Sequence, residues 1–501
     1  MNQLSFQPGE NCWRVEKAEQ FGIIIDAEKY FRALREALEK AEDLIILVGW
    51  DFDFEIEMLP GESDESGNAP DGLPNRIGPF LEALAERRPN LEIYLLKWSG
   101  GALIAPGRML PTAKIKLLSP DQVHLGFDGR HPIGASHHQK IVTIDDSLAF
   151  CGGIDVTDGR WDTREHAPGD KRRTLKNGDI AQPWHDVTSV MSGPAAEALS
   201  ELCRARWKRA QDTELEEPIK PGRDRWPQSL RAEFRDIDVA IVRTEPPETD
   251  RPVIVEIEQL YLDSIASAKE TIYLESQYFA SDVITDAVRK KLQEPDGPEI
   301  VVINPKAAQG VIEDQAMHVT RSRMIRDLRA SDPHDRFRVF YPVNSDQDPV
   351  YVHAKVSIID DRFMRVGSAN IDRRSMAFDT ECDVALIAER EEDRQQVLDL
   401  RNDLLAEHLG CSKEDLARAI EHNGSIISAI DSLNRRDHRG LRDLPLRKEN
   451  MFGSLLADTR FFDPRYRRSA MARFGVTSRH VMIGGVAIAA GLYLWSRKRR
   501  R

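Results

Sequence analysis

One short pattern occurs twice in this chain, far apart. Around His138 the sequence reads HHQKIVTIDDSLAFCGGID, and around His353 it reads VHAKVSIIDDRFMRVGSAN. Each copy holds His-x-Lys, four further residues and Asp: His138, Lys140 and Asp145, then His353, Lys355 and Asp360. Glycines follow at matching distances. A tripeptide match arises by chance; a doubled eight-residue pattern does not. It implies an internal repeat, two lobes of one fold, with a site that takes one half from each copy.

Each segment alternates Ile, Val and Thr and reads as a strand, so its His and Lys share a face. The polar pairs Asp145-Asp146 and Asp360-Asp361 end the strands, and a second apolar run follows, which makes each segment a hairpin. A turn centred on Asp361 and Arg362 would set His353 opposite Asn370. One on Asp146 and Ser147 would set His138 opposite Asp155.

This residue set suits a phosphodiester. Lysine offers a compact positive charge and Asn offers donors to nonbridging oxygens. One imidazole can attack phosphorus while a second, protonated, gives a proton to the leaving alcohol. Each ring needs a carboxylate to hold its tautomer, and Asp186 and Glu381 are the candidates. Asp145 and Asp360 sit where a turn aspartate caps backbone donors, which makes them structural. The chemistry calls for no metal or cofactor, and no dense cysteine or histidine cluster along the chain offers a metal site.

Both segments resemble the HKD motif of the phospholipase D superfamily. The second continues as GSANIDRRSMAFDTE, with Gly367, Ser368, Asn370, Arg373, Ser375 and Glu381 at motif positions. GGIDVTDGRWDTREH, PWHD and YLESQYF are similar to blocks of the eukaryotic-type branch. The resemblance covers roughly residues 40 to 410. It implies an α/β fold of two α/β/α sandwich lobes about a pseudo-two-fold, with the active site between them. It also implies His138 as nucleophile, His353 as general acid, and Lys140, Lys355 and Asn370 on the phosphate. Ser368, Asp155 and Gly153 stand at the remaining phosphate-side positions. Asp155 cannot donate as a carboxylate, so the two copies are not equivalent phosphate binders.

The expected layout is an N-terminal lobe at 1–215, a linker region at 216–252 and a C-terminal lobe at 253–410. A helical or irregular extension at 411–475 and a membrane anchor with a basic tail at 476–501 complete it. Helices are expected at Asp26 to Glu42, Ala195 to Ala210, Val255 to Ala268 and Glu392 to His408. The first strand is expected near Leu44.

Net charge is −13. A polyanionic partner would need a local basic groove to overcome that charge, so nucleic acid is not the expected partner. Five scattered cysteines, with no Cys-x-x-Cys, suit a reducing compartment. No secretory signal opens the chain, which places the body in the cytoplasm. Val481 to Trp495 is apolar throughout and flanked by basic residues. As a helix it would reach about 22 Å, short of the ~30 Å hydrocarbon core, and snorkelling side chains would close the gap. A phospholipid membrane is thus the expected partner; oligomeric state is not legible. The expected activity is phospholipase D-type hydrolysis or transphosphatidylation. A cardiolipin synthase-like transferase and a nuclease are the alternatives.

Overall fold

The computed structural model describes residues 4–100, 119–218, 224–248, 251–309, 311–446, 463 and 465, and the apolar segment at 481–495 lies outside these. The first half contributes β1 (Arg14–Ile25), β2 (Leu44–Gly49), β3 (Glu92–Trp98), β4 (Val123–Asp128), β5 (Ile141–Ile144), β6 (Leu148–Gly152), β7 (Trp184–His185) and β8 (Val187–Ser192). The second contributes β9 (Phe234–Glu245), β10 (Ile254–Val255), β11 (Thr271–Glu275), β12 (Glu299–Ile303), β13 (Phe337–Val343), β14 (Tyr351–Val352), β15 (Val356–Ile359), β16 (Phe363–Gly367), β17 (Glu381–Ile387) and β18 (Gly440–Asp443).

All but β7 and β14 join one 16-stranded sheet, in which β10 pairs with β9 alone. Read outward from the β9–β1 seam, one arm runs β1-β8-β6-β5-β2-β3-β4 and the other β9-β17-β16-β15-β11-β12-β13, with β18 added at the far edge. The arms match strand for strand. In each, a motif hairpin (β5–β6 or β15–β16) lies antiparallel beside three parallel strands.

Helices cover both faces because the inner strands are apolar on both sides. β2 reads LIILVG and every residue is buried. Helix Ala27–Glu39 buries Tyr30, Phe31, Leu34 and Leu38 on one stripe. That stripe packs into a cluster with Ile45, Leu47, Phe80 and Val142 on the outer face of the first lobe. Helix Glu256–Ser267 does the same in the second lobe through Ile257, Tyr261 and Ile265. On the opposite face one continuous apolar cluster spans both lobes, from Leu199 and Trp207 to Leu404 and Ile427. The seam is therefore part of the core.

Helices and strands fall within a few residues of the expected bounds. Two long strands escaped the reading. β1 precedes Leu44, and β9 lies inside the span read as linker. β9 alternates polar and buried residues only in its first half, Phe234 to Val239, and is flanked by Pro-rich stretches that mask it.

The hairpin register also differs by one residue. Ile359 pairs with Phe363, and Ile144 with Leu148. Both aspartates of each turn take left-handed backbone: φ is 49° and 54° at Asp145 and Asp146, 51° and 50° at Asp360 and Asp361. Asp tolerates that region. The following residue, Ser147 or Arg362, then belongs to the turn, its N–H donating to the Ile144 or Ile359 carbonyl, so the connection is three residues long rather than two. The ladders stop at Lys140 and Lys355, so neither motif histidine is held by its own hairpin.

Candidate active site

The histidines are held by the other lobe. β14 runs parallel to β7, pairing Tyr351 with Trp184 and Val352 with His185. At the equivalent place in the first copy, His137 forms a parallel bridge to Thr380. The next residue in each case is a motif histidine. His353 N–H donates to the His185 carbonyl at 2.8 Å, and His138 N–H to the Thr380 carbonyl at 2.9 Å. The partner segments continue to Asp186 and Glu381. Each ring thus meets a carboxylate from the opposite half: His138 Nδ1 lies 2.9 Å from Glu381 Oε2, and His353 Nδ1 lies 2.7 Å from Asp186 Oδ2. A carboxylate at Nδ1 sets the proton there and leaves Nε2 as the free ring nitrogen.

The carboxylates are fixed in turn. Ser368 Oγ donates to Glu381 Oε2 at 2.5 Å, and Ser375 Oγ donates to Oε1 at 2.7 Å. Burial pushes the Glu381 carboxyl well up and the Asp379 charge adds to it, while these two hydroxyls oppose the shift. Gly153 occupies the Ser368 position of the first copy. A Cβ there would stand 2.2 Å from Asp186 Oδ1, so only glycine lets that carboxylate approach. Gly153 and Ser368 were expected on the phosphate. In the structure the Ser368 hydroxyl donates to Glu381, and the Gly153 N–H donates to the Val187 carbonyl at 3.0 Å.

The lysines differ. Lys140 Nζ is 3.2 Å from Asp155 Oδ2, a buried ion pair, and donates to the His138 carbonyl at 3.0 Å. Lys355 donates to the His353 carbonyl, and among the described residues no carboxylate stands within ion-pair distance of it. Asn370 Oδ1 is buried and, among the described residues, accepts no hydrogen bond. Burial brings the Lys355 ammonium down to about 7. Burial also lowers both imidazoles well below 6.5. The charges of Lys140 and Lys355 add to this at His138, and those of Lys355, Arg160 and Lys140 at His353.

Asp145 and Asp360 stand away from this chemistry. Asp145 accepts the N–H groups of Glu42, Asp43 and Leu44 at 2.8 to 2.9 Å. Asp360 accepts those of Lys269, Glu270 and Thr271 at the same distances. Each clamps the start of the neighbouring strand, β2 or β11. Asp145 alone also binds buried Arg225, 2.9 Å away.

A second polar cluster, which sequence reasoning missed, lies behind Asp186. His185 Nδ1 is 3.1 Å from Asp26 Oδ1 and 3.0 Å from Glu407 Oε1. His166 Nε2 is 3.1 Å from Glu407 Oε1. The other nitrogen of each ring meets a further carboxylate at 2.9 Å: His166 Nδ1 meets Asp162, and His185 Nε2 meets Glu275. The cluster holds the active site, since Asp26 Oδ1 accepts the Asp186 N–H at 3.1 Å. One ligand atom each from Asp26, His166, His185 and Glu407 lies within 4.8 Å of the others, an arrangement able to hold a divalent cation. These residues are scattered from position 26 to 407, and only the fold assembles them.

Residues 129–294 match the family model described as Phospholipase D, and residues 261–400 match the one described as Cardiolipin synthase, PLD-like domain. Phospholipase D alpha 1 of Vigna unguiculata is 24% identical over 78% of this chain, and phospholipase D A of Dictyostelium discoideum is 25% identical over 77%. The chain spans 65% of the first relative's length and 34% of the second's. Phosphatidylserine synthase of Haemophilus influenzae shares the fold, with a TM-score of 0.52 at 12% identity, over 82% of this chain and 94% of that one. Among the described residues no helix is long and apolar enough to cross a membrane. Matching motifs, matching arms of the sheet and these likenesses agree: the chain belongs to the phospholipase D superfamily, in its eukaryotic-type branch.

Proposed function

We propose that this chain is a phospholipase D-type phosphodiesterase acting on glycerophospholipids through a phosphohistidine. The observation that carries the reading is the pair of motif imidazoles, each with Nδ1 held by the other lobe's carboxylate. His138 Nε2 attacks phosphorus, and the bond to the headgroup oxygen breaks. His353 supplies the proton that the departing alcohol needs. His138 suits the nucleophile's part, with its side chain 16% exposed against 7% for His353. A neutral His353 must first gain a proton. The substrate's negative charge between Lys140 and Lys355 offsets the field that keeps the ring neutral, and so raises its affinity for that proton. Water then attacks the phosphohistidine with His353 as base, giving phosphatidic acid and free His138. No metal or cofactor enters these steps.

An alcohol in place of water gives phosphatidyl transfer. The match of residues 261–400 to the cardiolipin synthase model favours this as a second outcome of the same intermediate. The apolar run at Val481 to Trp495 is proposed, from sequence, to keep the enzyme at the lipid surface. Cosedimentation with vesicles of the full chain, against one ending at His480, tests that.

The central test is covalent trapping. Acid-quenched reactions with labelled phospholipid should place the label on His138, and His138→Ala should lose both label and turnover. His353→Ala should still take label from a diester with a good leaving group, while turnover of lipid falls on the order of 10²- to 10⁴-fold. Cleavage of DNA without cleavage of any lipid would overturn the reading in favour of a nuclease.

A further inference from the structure

Two tryptophans stand beside the phosphate floor, and the chemistry described so far gives them no part. Trp50 follows β2 and Trp98 ends β3. Two residues before each, Val48 and Leu96 belong to the apolar cluster that spans both lobes. The indoles therefore leave their strands on the face turned to the seam. They stack on one another, with ring centres 5.6 Å apart at 27°. The backbone ties this wall to the floor: Trp50 N–H donates to Asp155 Oδ1 at 3.2 Å, and Asp155 Oδ2 pairs with Lys140. Trp98 Nε1 donates to His131 Nε2 at 2.9 Å, so its one polar atom is already satisfied. Both tryptophans are only half-buried.

The repeat breaks at this wall. Ile45 pairs with Ile144, and Ile272 with Ile359, at the same step before the two motif turns. Counting along β2 and β11 from those pairs sets Trp50 against Gln277. The next strands, aligned through Ile93 and Ile300, set Trp98 against Pro305. Where the first lobe has an indole the second has an amide, whose Nε2 donates to the hydroxyls of Tyr278 and Tyr351. Ile133, two residues past His131, is 38% exposed, one of three large apolar side chains left exposed among the described residues. Strand carboxyl ends are where sheets of this kind take ligands. A half-open indole stack against a charged floor fits a ligand that joins a phosphate to an apolar group.

We propose that Trp50 and Trp98, continued by Ile133, form the subsite for the acyl-bearing half of the substrate. The ester ends of the acyl chains lie along the indoles, and the enzyme selects a diacylglyceryl diester over one without acyl chains. The proposal rests on the phosphohistidine reading, which sets phosphorus between His138 and His353 and so fixes one end of the retained group at the floor. In that reading the retained group stays on His138 while the headgroup departs and water enters. A subsite on the first lobe, which also carries His138, can hold it through both steps. Each methylene moved from water onto the wall favours binding by about fourfold.

The test holds the leaving group constant. Methyl p-nitrophenyl phosphate and the dibutanoyl and dihexanoyl phosphatidyl-p-nitrophenols, all as monomers in solution, are compared by kcat/KM for the full chain and its Trp98→Ala, Trp98→Phe and Ile133→Ser variants. For the full chain, kcat/KM should rise about tenfold or more from the dibutanoyl to the dihexanoyl diester, and the methyl diester should be the poorest. Trp98→Ala should cut that rise to about threefold or less. Trp98→Phe should keep most of it, and Ile133→Ser, a change at an exposed position, should fall between. A full chain indifferent to acyl length overturns the proposal. So does a rise that survives both Trp98→Ala and Ile133→Ser, even where all the diesters slow together, which is the mark of a structural role. Where Trp98→Ala is inactive on every diester, Ile133→Ser decides alone. If no diester releases p-nitrophenol and no histidine is labelled, the phosphohistidine reading fails first and this one falls with it.

Discussion

The two motif copies share their framework and differ at the phosphate floor. In both, an aspartate clamps the next strand, a parallel bridge delivers the histidine to the other lobe, and a carboxylate from that lobe takes Nδ1. Below the rings the symmetry ends. Lys140 forms an ion pair with Asp155, whereas among the described residues Lys355 has no carboxylate within ion-pair distance. The repeat thus preserved what orients the imidazoles and let the charge around them diverge. Attack and proton transfer need opposite electrostatics, and a perfectly symmetric floor could not supply both.

The sharpest way to break the comparison is to swap each orienting carboxylate for its amide. Glu381→Gln and Asp186→Asn should each cut turnover on the order of 10³- to 10⁴-fold, because an amide can hold the wrong tautomer. Rapid-quench labelling with a diester that has a good leaving group, which needs no acid, separates them: Glu381→Gln should slow formation of the phosphohistidine, and Asp186→Asn chiefly its breakdown. Equal effects on both steps in both variants would erase the assigned roles.

The floor comes next. Lys355→Ala should cost about 3 kcal/mol in kcat/KM, the scale of one lost transition-state donor. Lys140→Ala should cost more, because it leaves the Asp155 carboxylate unpaired beside the phosphate. The Lys140→Ala/Asp155→Ala double variant should recover part of that loss. Additive losses would show that the pair does not act as a unit.

The pH profile sharpens the same contrast. His138 must be neutral and sits well below 6.5, so the rising limb of kcat/KM should lie in the acid range. Lys355 must be charged and titrates at about 7, so the profile should fall above that. Lys355→Arg should move the falling limb to higher pH. A limb that stays put assigns the titration elsewhere.

The smallest effect lies in the clamps. Asp360→Ala should lower stability to chemical denaturation by about 1–3 kcal/mol, for backbone donors left wanting. Asp145→Ala should cost more, since it also strands buried Arg225. Equal losses would show that Arg225 adds nothing.

Much of this was legible in the sequence because it is local. The doubled pattern announced two lobes, and the apolar stripes of Ala27–Glu39 and Glu256–Ser267 placed their helices. Asp186 and Glu381 could be named, but which ring each serves depends on bridges between residues some two hundred positions apart. The hairpin register was misread because a turn with two left-handed aspartates adds an unpaired residue that composition does not show. The cluster of Asp26, His166, His185 and Glu407 has no spacing signature at all.

The exchange of carboxylates has one more consequence. Neither half of the chain is a smaller enzyme, because each carries an imidazole whose tautomer the other half decides. Separating the halves would unhook each ring from the acid that holds it.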